Sequence, residues 1–431
     1  MLSHDFTNGP GHSPASPELT PDQIEARLRW ARRRGYGAWL WPDVAVDAWR
    51  SCMLEIERAT RLRLADRTPP IRLEPPPGAD AAAFGVAAFT SGMGPLLGWW
   101  LEEGTLIAHA DVTFRLRTHL VHGRERAERL GRALRAALDL LESVRVPAVV
   151  LKGAHTGTAV FPEPGTRPAA DIDLAIALSD LARTEHALER AGYERVKTRR
   201  HPRKSDWRPP GAPHRLRSIE FNHAENPFTV EIHDGLDRVF YGVRTLRFGP
   251  PDAWRTHPAP GLHASARVLG QPWLAAFLAA HASEELHQLQ LVRLVELALV
   301  LRADRARDSL DWEHLDHLLE RIDGHRFVWP AFELAEQLAP GTLDARFRER
   351  LAAAATPRMR RALARLSPGT AQHLEGLSLD ERFFWARGPA ETLRRLAHLL
   401  WPTRGESTPL HRVYAQRAAR LLRGRGRTPQ R

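Results

Sequence analysis

The sequence predicts an α+β protein, with a mixed sheet over residues 145–250 flanked by helical regions on both sides. Three observations lead there. Residues 20–144 carry helical periodicity almost throughout. From Val146 the pattern breaks into short apolar or alternating runs that stop at Gly or Pro, as strands do. Helical periodicity then returns over 265–424.

The helical first part starts after a lead-in, residues 1–19, whose Gly, Pro and Ser content predicts disorder. Thr20-Pro21-Asp22-Gln23 reads as a helix start, with Thr20 capping, Pro21 in the first turn and Gln23 closing a capping box. A Pro-rich break falls near 66–80, and 124–143 reads as an amphipathic helix. Trp39, Trp41, Trp49, Trp99 and Trp100 are expected in the core or at contacts between units rather than as a base-stacking platform.

In the middle part, VPAVVLKG reads as a buried strand ending at Gly153, AHTGTAVF as one or two helical turns, and DIDLAIAL as a second strand. Ser179 is expected to cap a helix running to Ala191, with Gly192 ending it. A short strand follows at 193–197. Residues 198–217 read as a basic, Pro-rich insertion, either a solvated loop or a flap over anionic ligands. SIEFNHAE and FTVEIHDGL read as a hairpin around Asn226-Pro227.

The last part begins near residue 271 with a long apolar helix pattern expected to break in two. A capping box is expected at Ser378–Glu381, and the basic stretch 411–427 reads as a helix fraying into a disordered tail at 425–431.

Composition limits the function classes. At 431 residues the chain exceeds one small core, and its 43% apolar and 26% charged residues are ordinary for a globular protein. No run approaches the roughly 18 apolar residues of a membrane span, and the N-terminus shows no signal peptide pattern. Cys52 is the only cysteine, which excludes an internal disulfide and a cysteine zinc site. A bacterial cytoplasm fits these features. The net charge of +11 reads in two ways: attraction to polyanions such as nucleic acid or nucleotide phosphates, or the Arg-rich coding of GC-rich DNA.

The chemistry concentrates between residues 152 and 233. Asp171 and Asp173, at i and i+2 of a strand, share a face with Cα atoms roughly 6.5–7 Å apart. Two carboxylates so placed can clasp a hard cation such as Mg²⁺ or Mn²⁺. Lys152-Gly153 ends one strand before a helix, where a close backbone approach and a positive charge suit phosphate. Arg167 lies near enough in sequence to meet phosphate oxygens in a forked geometry. Glu231 on a later strand, with His233 on the same face, makes a third carboxylate and a two-metal arrangement conceivable. Each has a plainer reading: a polar strand end for the aspartates, a tight turn for Lys152-Gly153, ion pairs for Arg167 and Glu231, and a hydrogen-bonded histidine for His233. No P-loop, dinucleotide fingerprint, zinc-protease or serine-hydrolase motif is present.

The stretch LKGAHTGTAVFPEPGTRPAADIDLAI resembles the signature of the uncharacterised bacterial nucleotidyltransferase-like family, a branch of the DNA polymerase β-type nucleotidyltransferase superfamily. VEIHDGL is similar to that family's later acidic strand, and LAAHASEELHQLQLVRLVELALVL with LDWEHL resembles its helical region, where His281, Arg293 and Glu296 match a His, an Arg and an acid. The resemblance spans about 145–315. It departs where Glu231 replaces the branch's usual Asp and Asp234 its aromatic residue, and Lys152-Gly153 stands where the wider superfamily has Gly-Ser.

The resemblance implies a minimal nucleotidyltransferase core between helical regions and a Mg²⁺-dependent site. It also implies transfer of a nucleoside monophosphate from NTP to an acceptor hydroxyl on a small molecule, a protein or an RNA end. Asp171, Asp173 and Glu231 are then the catalytic and metal-binding acids, and Lys152, Gly153, Arg167 and His233 the phosphate contacts. The rival readings are a non-catalytic accessory or antitoxin-like binding protein on the same fold, and an RNA-binding helical protein whose sheet is only a scaffold.

Overall fold

The structure, a computed structural model, describes residues 19–34, 40–65, 70–76, 78–196, 204–284, 286–372 and 383–400. The expected disordered lead-in, Trp39, the capping box at Ser378–Glu381 and the basic tail lie outside the described residues.

The first helix, α1 (Pro21–Arg34), begins on the expected reciprocal cap, with the Thr20 amide donating to Gln23 Oε1 at 2.8 Å and the Gln23 amide to Thr20 Oγ1 at 3.4 Å. It is followed by α2 (Val46–Leu64), a strand β1 (Ile71–Leu73), α3 (Ala81–Thr90), α4 (Gly94–Glu102) and a strand β2 (Leu106–Ala108). The parallel pair β1–β2 was not expected from sequence, because three-residue strands carry almost no periodicity. The helix read at 124–143 proves to be the second half of one 34-residue helix, α5 (Ala110–Ser143).

The sheet begins with β3 (Val149–Val150), followed by α6 (Lys152–Ala159), β4 (Asp171–Ala175), α7 (Leu181–Arg190), β5 (Glu194–Val196), β6 (Lys204–Arg208) and β7 (Thr229–His233). A small separate hairpin, β8 (Arg238–Phe240) and β9 (Arg244–Leu246), precedes β10 (Thr256–Pro258) and β11 (Arg267–Leu269). Among the described residues the sheet has seven strands in the order β10-β11-β3-β4-β7-β6-β5. β4 and β7 run parallel at its centre, and β6 is antiparallel to β7. Two outer strands therefore come from residues beyond 250.

Three expectations need correction. In place of the loop or flap expected at 198–217, residues Lys204–Arg208 form the sheet strand β6, and Ser205, Asp206 and Trp207 are buried. The hairpin around Asn226-Pro227 does not form; β7 pairs with β6 instead. Asn226 explains why: its Oδ1 accepts the Arg217 and Ser218 amides at 2.8 and 3.1 Å, and its Nδ2 donates to Ser218 O at 3.0 Å. These bonds curl the segment before β7 into a loop and withdraw its backbone from a ladder. Ser179 does not cap α7 either, since it lies inside a 3₁₀ turn, Leu178–Asp180, and Asp180 takes the N-cap position. Gly192 does follow that helix with φ +81°, a conformation only Gly adopts freely.

Among the described residues the remaining helices are α8 (Trp273–Glu284), α9 (Leu291–Arg307), α10 (Trp312–Arg321), α11 (His325–Leu338), α12 (Ala345–Ala354), α13 (Pro357–Leu363) and α14 (Gly388–Leu400). The break between α8 and α9 is the one expected. Among the described residues no single helix is long and apolar enough to cross a membrane; α3 and α4 pass such a test only as a pair bent by 112°, and both are mostly buried.

Alternation along the central strands sends side chains to two different cores. Val150, Ile172, Leu174, Val230 and Ile232 pack against Leu130, Leu134, Leu138 and Leu141, the apolar stripe of α5. Burying each such side chain contributes about 1.5–3 kcal/mol. Val149 and Ala175 point the other way, into a larger core shared by α2, α3, α4, α8, α9 and α11. Trp41, Trp49 and Trp100 are buried in that core and Trp99 packs against it, as expected of them. This opposite face also carries the acids.

Candidate active site

Strand register fixes which polar groups meet. Asp173 is paired with Glu231 across β4 and β7, and Glu231 with Asp206 across β7 and β6. His233 is opposite Ala175 on one side and Lys204 on the other. Three neighbouring strands thus bring Asp171, Asp173, Glu231, His233, Lys204 and Asp206 to one face. Ile172, Leu174, Val230, Ile232 and Trp207 bury on the reverse face and lock that register, because a slip of one residue would exchange the two sets.

The acids are deeply placed: Asp173 is 3% exposed, Asp206 4% and Glu231 8%. Such burial is tolerable only with charged or hydrogen-bonding partners. Lys152 Nζ lies 3.1 Å from Asp173 Oδ2. His233 Nε2 lies 3.0 Å from Asp173 Oδ1 and 3.6 Å from Glu231 Oε2. Lys204 Nζ donates to Glu231 Oε2 and lies 3.6 Å from Asp206 Oδ1. Burial pushes the Asp173 carboxyl up, but Lys152 and the His233 hydrogen bond outweigh it and hold the group well below the usual carboxylate range. Glu231 is likewise held low, against burial, by His233 and Lys204. Asp171 differs: burial and the neighbouring Asp173 raise it.

Lys152 is the first residue of α6 and has φ +24°, an unusual value for a side-chain-bearing residue and a mark of the tight strand-to-helix turn. Gly153 follows because a Cβ there would sit 2.9 Å from Arg167 Nη1 and 3.7 Å from the Ala169 Cβ. Arg167 forms a two-pronged pair with Glu296 of α9, Nε to Oε1 at 3.1 Å and Nη2 to Oε2 at 2.8 Å. Thr156 of α6 donates to the same Glu296. Lys152 Nζ is also 3.1 Å from His281 Nε2 on α8, and Arg293 Nη1 of α9 is 3.3 Å from His281 Nδ1. Burial, Lys152 and Arg293 push the His281 pKa well below its ordinary value, so its ring is neutral and can accept from Lys152. The histidine, arginine and acid singled out in the late helical region therefore surround the Lys152 turn.

A cleft of 590 Å³ opens beside Asp171 and is lined by Gly153, Arg167, Arg126 and Arg124 among others. Of the expected phosphate contacts, Lys152 faces Asp173, Arg167 lines the cleft with its guanidinium bound to Glu296, and His233 turns its Nε2 onto the acids. A larger cavity of 990 Å³ lies on the His155 and Gln271 side of α6, and its lining includes none of Asp171, Asp173, Asp206 and Glu231.

Asp173, Glu231 and His233 each offer a ligand atom within 4.8 Å of the others. Two carboxylates and a neighbouring imidazole, with Asp171 on the same strand face, could hold a divalent cation.

Three residues of the candidate site are not expected from the sequence. Lys204 and Asp206 were hidden in a stretch that reads as Arg- and Pro-rich; the alternation Lys204-Ser205-Asp206-Trp207 is the signal that could have exposed a strand. Arg126 looked like one more arginine on a long helix. It is buried and donates to the carbonyls of Ala169 at 2.7 Å, Ala170 at 3.4 Å, His223 at 3.2 Å, Asn226 at 2.8 Å and Pro227 at 3.2 Å. It thereby ties together the loops that deliver β4 and β7. Burial lowers its pKa to about 10, which still leaves it charged.

Acids on neighbouring strands beside a tight strand-to-helix turn are what the resemblance in the sequence implies. A family model described as uncharacterised nucleotidyltransferase matches residues 78–340, more than half of the chain, and the chain belongs to that family. No curated protein and no solved structure matches it.

Proposed function

We propose that this protein moves a nucleoside monophosphate from an NTP to an acceptor hydroxyl in a Mg²⁺- or Mn²⁺-dependent reaction. The observation that carries the reading is the convergence of Asp173 and Glu231, in register on adjacent parallel strands, with the Lys152-Gly153 turn. Asp171 and Asp173 would hold the metal ion, which when bound neutralises triphosphate oxygens and draws them into line. Lys152 and the Gly153 backbone, which lines the cleft, receive phosphate oxygens, while Arg167, braced on Glu296, keeps that turn in place and adds its charge to the cleft. Glu231, held ionised, accepts the proton of the acceptor hydroxyl. The hydroxyl oxygen bonds to the α-phosphorus as the α–β bridging bond breaks, and pyrophosphate leaves. No side-chain nucleophile is required, since positioning and charge neutralisation suffice for phosphoryl-type transfer. Use of NTP, and a single reduced cysteine, suit a cytoplasmic setting in a bacterial cell.

The test is incubation with each α-³²P-labelled NTP, cell extract and Mg²⁺ or Mn²⁺. Label is expected on a discrete acceptor with the wild type and not with Asp171→Ala. Label retained by Asp171→Ala, or no label with any NTP, would overturn the reading in favour of a binding protein on this fold.

A further inference from the structure

We propose that Lys204 supplies the second cation of this centre, so that each chain takes one divalent metal ion and not two. The proposal rests on the reading of the acids as a nucleotide-transfer site. In a two-metal centre the ions sit about 3.5–4 Å apart on shared carboxylates. Asp173, Glu231 and His233 offer ligand atoms within 4.8 Å of one another, enough for one ion; a second ion would need the other side of Glu231. The Lys204 ammonium already occupies the far side of Glu231, in contact with Oε2 and 3.6 Å from Asp206 Oδ1.

Three features keep it there. Lys204 belongs to a strand and not a free loop, with its backbone in register opposite His233. Glu231 and Asp206 are direct cross-strand partners, 8% and 4% exposed, and like charges facing each other in this way are destabilising. The ammonium between them offsets that repulsion, so its departure would leave two buried carboxylates short of a counter-charge. Lys152 is different in kind: it lies at the Gly153 turn, between Asp173 and His281, where an incoming phosphate offers its charge a new partner.

Mn²⁺ alone, titrated into the full-length metal-free protein and followed by the electron paramagnetic resonance of free Mn²⁺, tests the proposal. The Asp139–Glu142–His263 group, the other such cluster among the described residues, is first disabled with His263→Ala. One Mn²⁺ per chain is expected for this parent and for Lys204→Arg, which keeps the charge. Lys204→Met, with Glu231 and Asp206 released, is expected to bind two. Two ions in the parent, or one ion in a folded Lys204→Met, would overturn the proposal while leaving the transfer reading intact. No Mn²⁺ bound by the parent would overturn both. If circular dichroism shows Lys204→Met unfolded, the parent count decides.

Discussion

Arg167, on the loop before β4, and Glu296, in the middle of α9, close a two-pronged ion pair across 129 residues of sequence, with both side chains almost fully buried. The pair joins the sheet unit to the late helices just behind the Gly153 turn. Replacing Glu296 by Ala leaves the buried Arg167 guanidinium with only its Pro168 carbonyl bond, and a loss of about 3–5 kcal/mol is expected. Urea denaturation measures it. The double change Arg167→Met with Glu296→Leu should recover most of that loss, because both buried charges are then gone; equal instability of the double and single variants would contradict this account.

Gly153 is a steric requirement of the same region. In Gly153→Ala the new methyl would lie 2.9 Å from Arg167 Nη1, a group that cannot retreat without stretching its bonds to Glu296. Destabilisation of about 1–3 kcal/mol is expected, together with loss of nucleotide transfer. Gly157, whose nearest outside atoms are 3.8 Å from an added Cβ, should accept Ala at far smaller cost. Thermal melts of the two variants provide the comparison.

Arg126 should act on geometry at a distance. Its donors hold carbonyls from the loops ahead of β4 and β7, and Arg126→Ala leaves five buried or half-buried acceptors short of a bond. We expect a loss of at least about 3 kcal/mol. Amide hydrogen exchange should accelerate first at 168–171 and 223–229, before the outer strands respond.

A pH dependence is expected far from the acids. Glu391 of α14 accepts from Arg326 Nη1 and Nη2 of α11 at 2.9 and 3.0 Å. Burial raises its pKa, but the Arg326 hydrogen bonds and the Arg387 amide prevail and hold it below the ordinary 4.5. A carboxylate with a depressed folded pKa stabilises above its unfolded value and loses that contribution as pH falls through the folded one. The stability gap between wild type and Glu391→Gln should be constant near neutrality and close progressively below about pH 4.5. A gap that widened on acidification would refute the assignment.

Much of the site could be read from short-range pattern. The Asp171-x-Asp173 spacing places both aspartates on one strand face whatever surrounds them, and Lys152-Gly153 announces a turn through its glycine. Ile172, Leu174, Val230 and Ile232 announce the buried reverse face in the same way. Longer-range matters were opaque. Trp207 and Asp206 alternate as a strand should, yet the prolines and arginines around them masked the pattern. Asn226 looked like the tip of a hairpin but serves as the staple of a loop.

The chain's local chemistry thus determined which residues carry charge, which faces of β4 and β7 are acidic and apolar, and where α1 starts. Side-chain period and capping depend only on neighbours a few positions away. Tertiary structure alone decided which strand lies beside which. Strand pairing is a contest between distant segments for the same backbone partners, and β6 took the place beside β7 that the preceding loop surrendered to Asn226 and Arg126. That outcome set Lys204 and Asp206 against Glu231, and brought His281 and Glu296 to the Gly153 turn.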